Sequence, residues 1–356
     1  MMKFSAATTR KMKMLMRLAK RSLIWISLIG LAFFISTIIH QLSGANKLPS
    51  TSSITLKQPD RASIHQDTPK KSLDLPVIIK PKISKEDYQA AEDDMKYRKS
   101  HVEDTCKRLG KTGGQLSAVT LKHIVVDDKY KYLYCYIPKV ASGSWLRLLL
   151  PLTYPNISIA QSDIQHREQV RKLSDYSPEE RLFRLYNYLK FTFVRNPYER
   201  FQSAFANKFT EPKIESIRKS IGPTILRRYR KNPTEESLKT GEWVQFHEFV
   251  QYLIDPRTKS FNEHWDRFTS LCDPCNVNYD IIGKYETIVR DGNYMLSRIN
   301  ASATFTYKPY KSAQTTFKVK KAYGKVSPAD FRSLGDTFQD DFDIFEYDKT
   351  RLTNTL

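Results

Sequence analysis

The sequence predicts an α/β domain whose mainly parallel sheet is flanked by helices, preceded by a membrane anchor and a disordered stem. Short apolar segments, such as residues 191–194 and 279–282, alternate with longer helical segments that carry basic faces. This alternation is typical of parallel sheets with helices on both sides. A 17-residue apolar run, residues 23–39, follows a basic segment near the N-terminus and predicts the anchor.

The first 39 residues read as a cytosolic tail and a transmembrane segment. Residues 1–22 hold seven lysines or arginines and no acid. As a helix the apolar run would reach about 26 Å, which suits a thin early-secretory membrane. Because the basic segment comes first, the positive-inside rule places the remainder of the chain in the lumen. A cleaved signal peptide is the alternative, but the long basic region and long apolar core favour a type II anchor.

Residues 40–83 are predicted to form a stem. They contain five prolines and no aromatic residue, so they cannot bury enough apolar surface to fold. Residues 84–356 then form the lumenal domain. The chain carries a net charge of +20, and +13 remains when the seven tail cations are set aside. Because the domain is predicted to be lumenal, nucleic acid is not the expected partner. The excess of positive charge then favours a polyanionic glycan such as chondroitin.

Several elements of the domain are predicted from local signals. Ser84 and Asp87 form a helix cap, and residues 85–109 are expected to be helical up to Gly110. Residues 121–126 and 131–137 are expected to be strands. Residues 145–150 are expected to form a helix that Pro151 stops.

One stretch, residues 132–147, has the pattern of an anion site. An apolar strand leads to Lys139, then to small residues that include Ser142 and Ser144, then to a helix. Such a turn directs backbone N–H groups and the positive end of a helix dipole at one point. An ordinary strand–turn–helix with a surface lysine is the alternative. The stretch lacks the spacing of a Walker A loop, which disfavours a P-loop kinase.

A second stretch, residues 191–205, also runs from a strand through a turn into a helix. Asn196 suits the N-cap, and Pro197 suits the first helical position. Arg195 and Ser203 together suit a phosphate dianion. The alternatives are a salt bridge from Arg195 to Glu199 and simple solvation of Ser203.

Together the two stretches resemble the donor-binding motifs of the Golgi carbohydrate sulfotransferases, and most of all those of the chondroitin/dermatan 4-O-sulfotransferase branch. Further matching pieces lie at residues 227–232, 263–265, 271–275, 279–287 and 341–347. The sequence departs from the family pattern at Gly143, Ser144 and Leu146, where the family usually has Thr, Asn and Lys. The resemblance implies a P-loop-like sulfotransferase fold, a Golgi location and the donor 3′-phosphoadenosine 5′-phosphosulfate.

The resemblance also implies roles for individual residues. Lys139 and the following loop would hold the 5′-phosphosulfate, and Arg195 with Ser203 would hold the 3′-phosphate. The expected donor-binding residues are Lys139, Val140, Ala141, Ser142, Gly143, Ser144, Trp145, Arg147, Arg195 and Ser203.

Transfer to a sugar hydroxyl would proceed without a metal or a covalent intermediate, with Lys139 stabilising the departing charge. We predict His166 as the base and His264 as an acceptor-positioning residue, with these two roles exchangeable. Arg228 and Arg230 are predicted to contact the acceptor. A lumenal glycosaminoglycan-binding protein that has lost catalysis is the alternative function.

The four cysteines are predicted to form disulfides, because an oxidising lumen favours them and a single Cys-x-x-Cys is poor evidence for zinc. The expected pairs are Cys272–Cys275 and Cys106–Cys135. Asn156 and Asn300 begin glycosylation sequons, whereas the proline after Asn232 blocks a third.

Overall fold

The computed structural model describes residues 83–154, 170–211, 215–301 and 312–350. The predicted tail and anchor, nearly all of the predicted stem, His166 and Asn156 lie outside these residues. Within the described ranges, no helix combines the length and the apolar character needed to cross a membrane.

A four-stranded sheet forms the centre of the fold, as predicted. Its spatial order follows the chain, with β1 antiparallel to β2 and with β2, β3 and β4 parallel. Nearly every strand residue is buried, as expected for a parallel sheet covered on both faces. The strands are β1 (Ile124–Asp127), β2 (Tyr132–Cys135), β3 (Leu189–Val194) and β4 (Ile281–Lys284).

Helices surround the sheet and continue beyond it. In chain order they are α1 (Lys85–Arg108), α2 (Ala118–His123), α3 (Ser142–Thr153), α4 (Pro178–Asn187), α5 (Pro197–Phe205), α6 (Ser216–Tyr229), α7 (Glu235–Thr240), α8 (Phe246–Ile254), α9 (Phe268–Cys272), α10 (Pro274–Val277), α11 (Ile288–Arg298), α12 (Ser312–Tyr323), α13 (Pro328–Thr337) and α14 (Gln339–Ile344). The cap of α1 is confirmed, since the Ser84 hydroxyl accepts the Asp87 N–H at 3.0 Å.

The core around the sheet packs α3 tightly against the central strand β3. Trp145 is fully buried, and its ring centroid lies 4.7 Å from that of Phe193. Gly283 pairs with Phe193 across the sheet, and a Cβ there would come within 2.1 Å of the Phe193 ring. The glycine therefore leaves the space into which Phe193 packs.

A second core lies around α5 and α8. Its aromatic members include Phe201, Phe249 and Trp265, all fully buried. A spacing of four residues predicts one buried face for Phe201, Phe205 and Phe209, and all three side chains are buried. This core holds α5, the helix of the second predicted motif, in place.

Several predicted boundaries are wrong. The strand predicted at residues 131–137 spans Tyr132–Cys135, and the apolar segment 279–282 begins two residues before the strand Ile281–Lys284. Residues 121–123 belong to α2 rather than to a strand, because Ser117 caps a helix by accepting the Thr120 N–H at 3.0 Å. Helix α3 begins at Ser142 and continues past Pro151 to Thr153. So close to the helix end, the proline removes only one backbone hydrogen bond, and the Thr153 hydroxyl in the last turn donates to the Asp127 carboxylate.

The prediction that all four cysteines form disulfides is confirmed, but the predicted pairing is wrong. The bridges are Cys106–Cys275 and Cys135–Cys272, with Cα–Cα distances of 5.3 and 5.8 Å. Cys272 ends α9 and Cys275 lies in α10, and between them Asp273 adopts a left-handed conformation with φ of 39°. This break turns Cys272 toward β2 and Cys275 toward α1.

Candidate active site

The loop between β2 and α3, residues 136–141, joins the end of a strand to the start of a helix, as the sequence predicts. Lys139 and Ala141 adopt left-handed conformations with φ of 74° and 64°. Such conformations are uncommon outside glycine and are concentrated at functional sites. Ala141 is the N-cap of α3, and no side chain caps the first turn. The backbone N–H groups of that turn can therefore receive an anion.

The second motif forms the predicted strand–turn–helix. The Asn196 side chain accepts the N–H groups of Tyr198 at 3.0 Å and of Glu199 at 3.4 Å, which confirms it as the N-cap of α5. The Glu286 carboxylate accepts the Asn196 N–H at 3.1 Å and the Tyr347 hydroxyl at 3.0 Å. This turn therefore lies fixed beside the end of β4.

Arg195 joins the second motif to the first. Its guanidinium donates to the Lys139 carbonyl at 3.3 Å and lies 4.2 Å from the centre of the Tyr285 ring. It also pairs with Glu199 at 3.3 Å, so the salt bridge considered as an alternative is present. The pair does not separate Arg195 from the loop, because a guanidinium offers several donors.

Arg200 is a residue whose role the sequence did not reveal. It is fully buried beneath the loop and donates to three carbonyls: Pro138 at 3.1 Å, Glu263 at 2.9 Å and Asp266 at 2.6 Å. Burial lowers its pKa to about 10. One guanidinium thus holds residues 263–266 against the Lys139 loop.

A π-helical segment, Ala206–Thr210, continues α5 and supplies a second lysine, Lys208. Such segments occur often at functional sites. The pKa of Lys139 is lowered to about 8, first by burial and then by the charges of Lys208, Arg195 and Arg200. All three charges are positive, so the centre suits a multiply charged anion. Lys208 was also missed, since a local change from α to π winding has no clear sequence signal.

His264 lies at the same centre. Its backbone N–H donates to Asn262 Oδ1 at 3.1 Å, and its ring Nδ1 lies 2.6 Å from the same oxygen. Its pKa is lowered to about 3, first by burial and then by the charges of Lys208, Lys139 and Arg200, while the charge of Glu263 opposes this lowering. The structure therefore brings together Lys139, Arg195 and His264, which the sequence had singled out separately.

The other predicted donor residues differ in how far they are exposed. Val140 and Trp145 are fully buried, so only their backbones can face a ligand. Ser142 is nearly buried, Ser203, Gly143 and Ser144 are half-buried, and Arg147 is exposed.

The predicted acceptor residues Arg228 and Arg230 are paired with acids. Arg228 lies 3.8 Å from Asp255, and Arg230 makes a two-point contact with Glu248 at 2.8 and 2.7 Å. Asn300, the sequon residue within the described chain, is exposed just after α11. Across the described ranges, no three His, Cys, Asp or Glu side chains cluster in a way that could hold a metal.

The sheet is mainly parallel, and the cations of two strand–turn–helix motifs converge beside it. This arrangement is typical of α/β proteins that bind anionic, nucleotide-type ligands. Comparison with known proteins makes the class specific. The pattern of the sulfotransferase family matches residues 122–348, and the chain belongs to that family. This confirms the resemblance drawn from the motifs.

Individual relatives are consistent with this assignment. The chain is 39% identical over 263 residues to mouse (Mus musculus) carbohydrate sulfotransferase 11, covering 70% of this chain and 75% of the relative. It is 43% identical over 183 residues to zebrafish (Danio rerio) carbohydrate sulfotransferase 14, covering 51% and 49%. It is 34% identical over 267 residues to human carbohydrate sulfotransferase 8, covering 71% and 62%. No solved structure matches the chain.

Proposed function

We propose that this protein transfers a sulfuryl group from 3′-phosphoadenosine 5′-phosphosulfate to a glycosaminoglycan, at the 4-hydroxyl of N-acetylgalactosamine in chondroitin or dermatan. The observation that carries the proposal is the convergence of Lys139, which follows β2, Arg195, which follows β3, and Lys208, which follows α5. The family and the relatives named carbohydrate sulfotransferases support the reaction class.

The donor would supply an activated sulfuryl group and a good leaving group. Lys139, Lys208 and the backbone N–H groups at the start of α3 would bind its phosphosulfate end. They would stabilise the negative charge that grows on the bridging oxygen, since preorganised donors act most strongly in a buried site. Arg195 and Ser203 would bind the 3′-phosphate and so fix the position of the donor.

The acceptor would approach from the side of residues 262–266. His264 faces that centre, and the excess positive charge of the domain would attract a sulfated or carboxylated chain. Arg228 and Arg230 remain proposed acceptor contacts. Because both are paired with acids, we expect them to orient a glycan more than to attract it.

The alternative is a glycosaminoglycan-binding protein without catalysis. The substitutions at residues 143–146 favour it, and the structure adds one observation: Leu146, where the family usually has lysine, is buried in the core at 4% exposure. Its side chain therefore cannot contact a donor.

We also propose that the protein is a type II Golgi membrane protein with residues 84–356 in the lumen and with glycans on Asn156 and Asn300. Two disulfides support an oxidising compartment. In sealed microsomes, added protease should spare everything after His40, and a glycosidase should reduce the mass of the protected product. Digestion of the lumenal part in sealed vesicles would refute this orientation.

Binding to immobilised adenosine 3′,5′-bisphosphate tests the proposed donor. The protein should be retained, and free bisphosphate but not ATP should elute it. Lys139→Ala should weaken retention, whereas Lys239→Ala, on the exposed side of α7, should not. Equal competition by ATP would point to a different nucleotide-dependent activity.

A further inference from the structure

We infer that Nε2 of His264 is the base that takes the proton from the acceptor hydroxyl. The inference rests on the proposed function, and it assigns a step that the sequence alone had given to His166. Its support is the position of the imidazole and the hydrogen bond at its other nitrogen.

The position is fixed by Arg200. The same guanidinium binds the carbonyl of Pro138, which precedes Lys139, and the carbonyl of Glu263, which precedes His264. The lysine and the histidine are therefore presented from two loops that share one buried anchor. The His264 side chain keeps only 13% exposure, and the charges of Lys208, Lys139 and Arg200 act on it. The imidazole is therefore largely buried beside these cations.

The tautomer follows from Asn262. Its Oδ1 accepts the backbone N–H of His264, which identifies this atom as the carbonyl oxygen and not the amide nitrogen. The same oxygen lies 2.6 Å from Nδ1, so Nδ1 carries the ring proton. The lone pair of the neutral imidazole is then on Nε2. Among the described residues, none hydrogen-bonds to Nε2.

The charges facing the ring keep it neutral in the ligand-free protein. Lys208, Lys139 and Arg200 oppose its protonation, Glu263 favours it, and burial outweighs them all. An anionic donor bound to these cations offsets their charge and raises the affinity of His264 for a proton. The imidazole thus becomes a stronger base when the donor is in place, which couples proton abstraction to donor binding.

Nε2 takes the hydroxyl proton while the acceptor oxygen forms its bond to sulfur. The bond from sulfur to the bridging phosphate oxygen breaks, and its electron pair leaves on that oxygen beside Lys139. Asn262 acts as a positioning residue, because it holds Nδ1 protonated and orients the ring.

Other described histidines are placed differently. In His123, Nδ1 lies 2.9 Å from the Val119 carbonyl and Nε2 lies 3.2 Å from Glu263. In His101, on α1, Nε2 lies 2.9 Å from the carbonyl of Asp343 on α14. His247 lies on α8 within the second core region. His166 lies outside the described residues, so the experiment tests it as the alternative base.

The test compares His264→Ala, His166→Ala and His101→Ala in the 356-residue chain. It measures sulfate transfer and the affinity for adenosine 3′,5′-bisphosphate. His264→Ala should lower turnover by about 10² to 10⁴-fold, the usual contribution of a general base, while bisphosphate affinity stays within about threefold. Added imidazole should restore part of the lost turnover in His264→Ala. His101→Ala should keep turnover near that of the wild type, and added imidazole should not change it.

These measurements distinguish failure of the proposed function from failure of the assignment of His264 as the base. Failure of the wild-type chain to bind the bisphosphate or transfer sulfate refutes the proposed function, and the inference with it. More than one tenth of wild-type turnover in His264→Ala overturns the inference alone, and loss in His166→Ala instead assigns the base to His166. Loss of bisphosphate affinity in parallel with turnover, without rescue by imidazole, shows a structural role and also overturns it.

A measurement on the wild-type chain covers the case in which the alanine variant fails to fold. Nitrogen-15 NMR of the His264 ring should show a neutral imidazole protonated on Nδ1, and its pKa should rise when adenosine 3′,5′-bisphosphate binds. An Nε2–H tautomer, or a pKa that does not move with the ligand, contradicts the assignment. Asn262→Asp keeps an acceptor at Nδ1 and should retain turnover, whereas Asn262→Leu should lose turnover with little change in donor affinity.

Discussion

Arg200 offers the sharpest test of how the fold assembles the site. Replacing it with methionine keeps an apolar stem of similar length but removes three hydrogen bonds from a charged donor, to Pro138, Glu263 and Asp266. Such bonds contribute about 1.5–3 kcal/mol each, and they are not additive. Removing one partner from a buried charged cluster costs about 3–5 kcal/mol. We therefore expect Arg200→Met to lower the free energy of unfolding by about 4 kcal/mol.

The loss of stability in Arg200→Met should also depend on pH. The buried carboxyl of Asp341 has its pKa raised to about 7 by burial, and the charge of Arg200 opposes this rise. Without the guanidinium the pKa of Asp341 rises further. This widens the pH range in which Asp341 is protonated in the folded state but ionised in the unfolded state. The free energy of unfolding then falls as pH increases from about 4 toward that raised pKa. This fall should extend to higher pH in Arg200→Met than in the wild type, and its total should therefore be larger.

Urea unfolding at several pH values measures both effects, with turnover and bisphosphate binding measured on the same samples. Arg332→Met, an exposed arginine on α13, is the matched control and should change stability by less than about 0.5 kcal/mol. Arg200→Lys should recover only part of the loss, because an ammonium lacks the planar fork. Stability within 1 kcal/mol of wild type and unchanged turnover in Arg200→Met would refute the idea that this residue joins the two loops.

Four further predictions test other parts of the site. Affinity for adenosine 3′,5′-bisphosphate should fall as pH rises through about 8, where Lys139 loses its proton, and Lys139→Arg should flatten this dependence in a titration calorimetry series. Arg195→Ala should weaken donor binding by about 1.5–3 kcal/mol, with a smaller effect on saturated turnover, in steady-state kinetics; unchanged donor KM would contradict its role. Digestion without reductant should release the peptides of Cys135 and Cys272 as one cross-linked pair, and a Cys272–Cys275 cross-link would contradict this pairing. Replacing both Cys135 and Cys272 with serine should lower the free energy of unfolding by about 3–5 kcal/mol. EDTA should leave transfer largely unchanged, and a zinc-reversible loss would show that a metal site had been missed.

The sequence predicted features that depend on neighbouring residues. The Ser84 cap, the Asn196–Pro197 helix start and the phenylalanines spaced by four on α5 all follow from contacts within one turn. The mainly parallel sheet followed from alternating segments. The start of β1 was misplaced, because the cap at Ser117 competes with the apolar pattern and extends a helix into the predicted strand.

Features that depend on distant contacts were not predictable in the same way. The disulfide pairing depends on how Asp273 turns the chain, and the three carbonyl partners of Arg200 lie 62 to 66 residues away. His264 was singled out, but its tautomer depends on the folded contact with Asn262. A local signal for that contact does exist, since an asparagine two residues before a histidine can reach its Nδ1.

The most direct test of the proposed activity is the product of the reaction. The 356-residue chain should be incubated with 3′-phosphoadenosine 5′-[³⁵S]phosphosulfate and a panel of desulfated glycans, followed by disaccharide analysis. The account predicts label in chondroitin and desulfated dermatan, recovered as disaccharides sulfated at position 4 of N-acetylgalactosamine, and loss of label with Lys139→Ala. Label at another position would contradict the proposed specificity, and no label in any glycan despite bisphosphate binding would contradict catalysis itself.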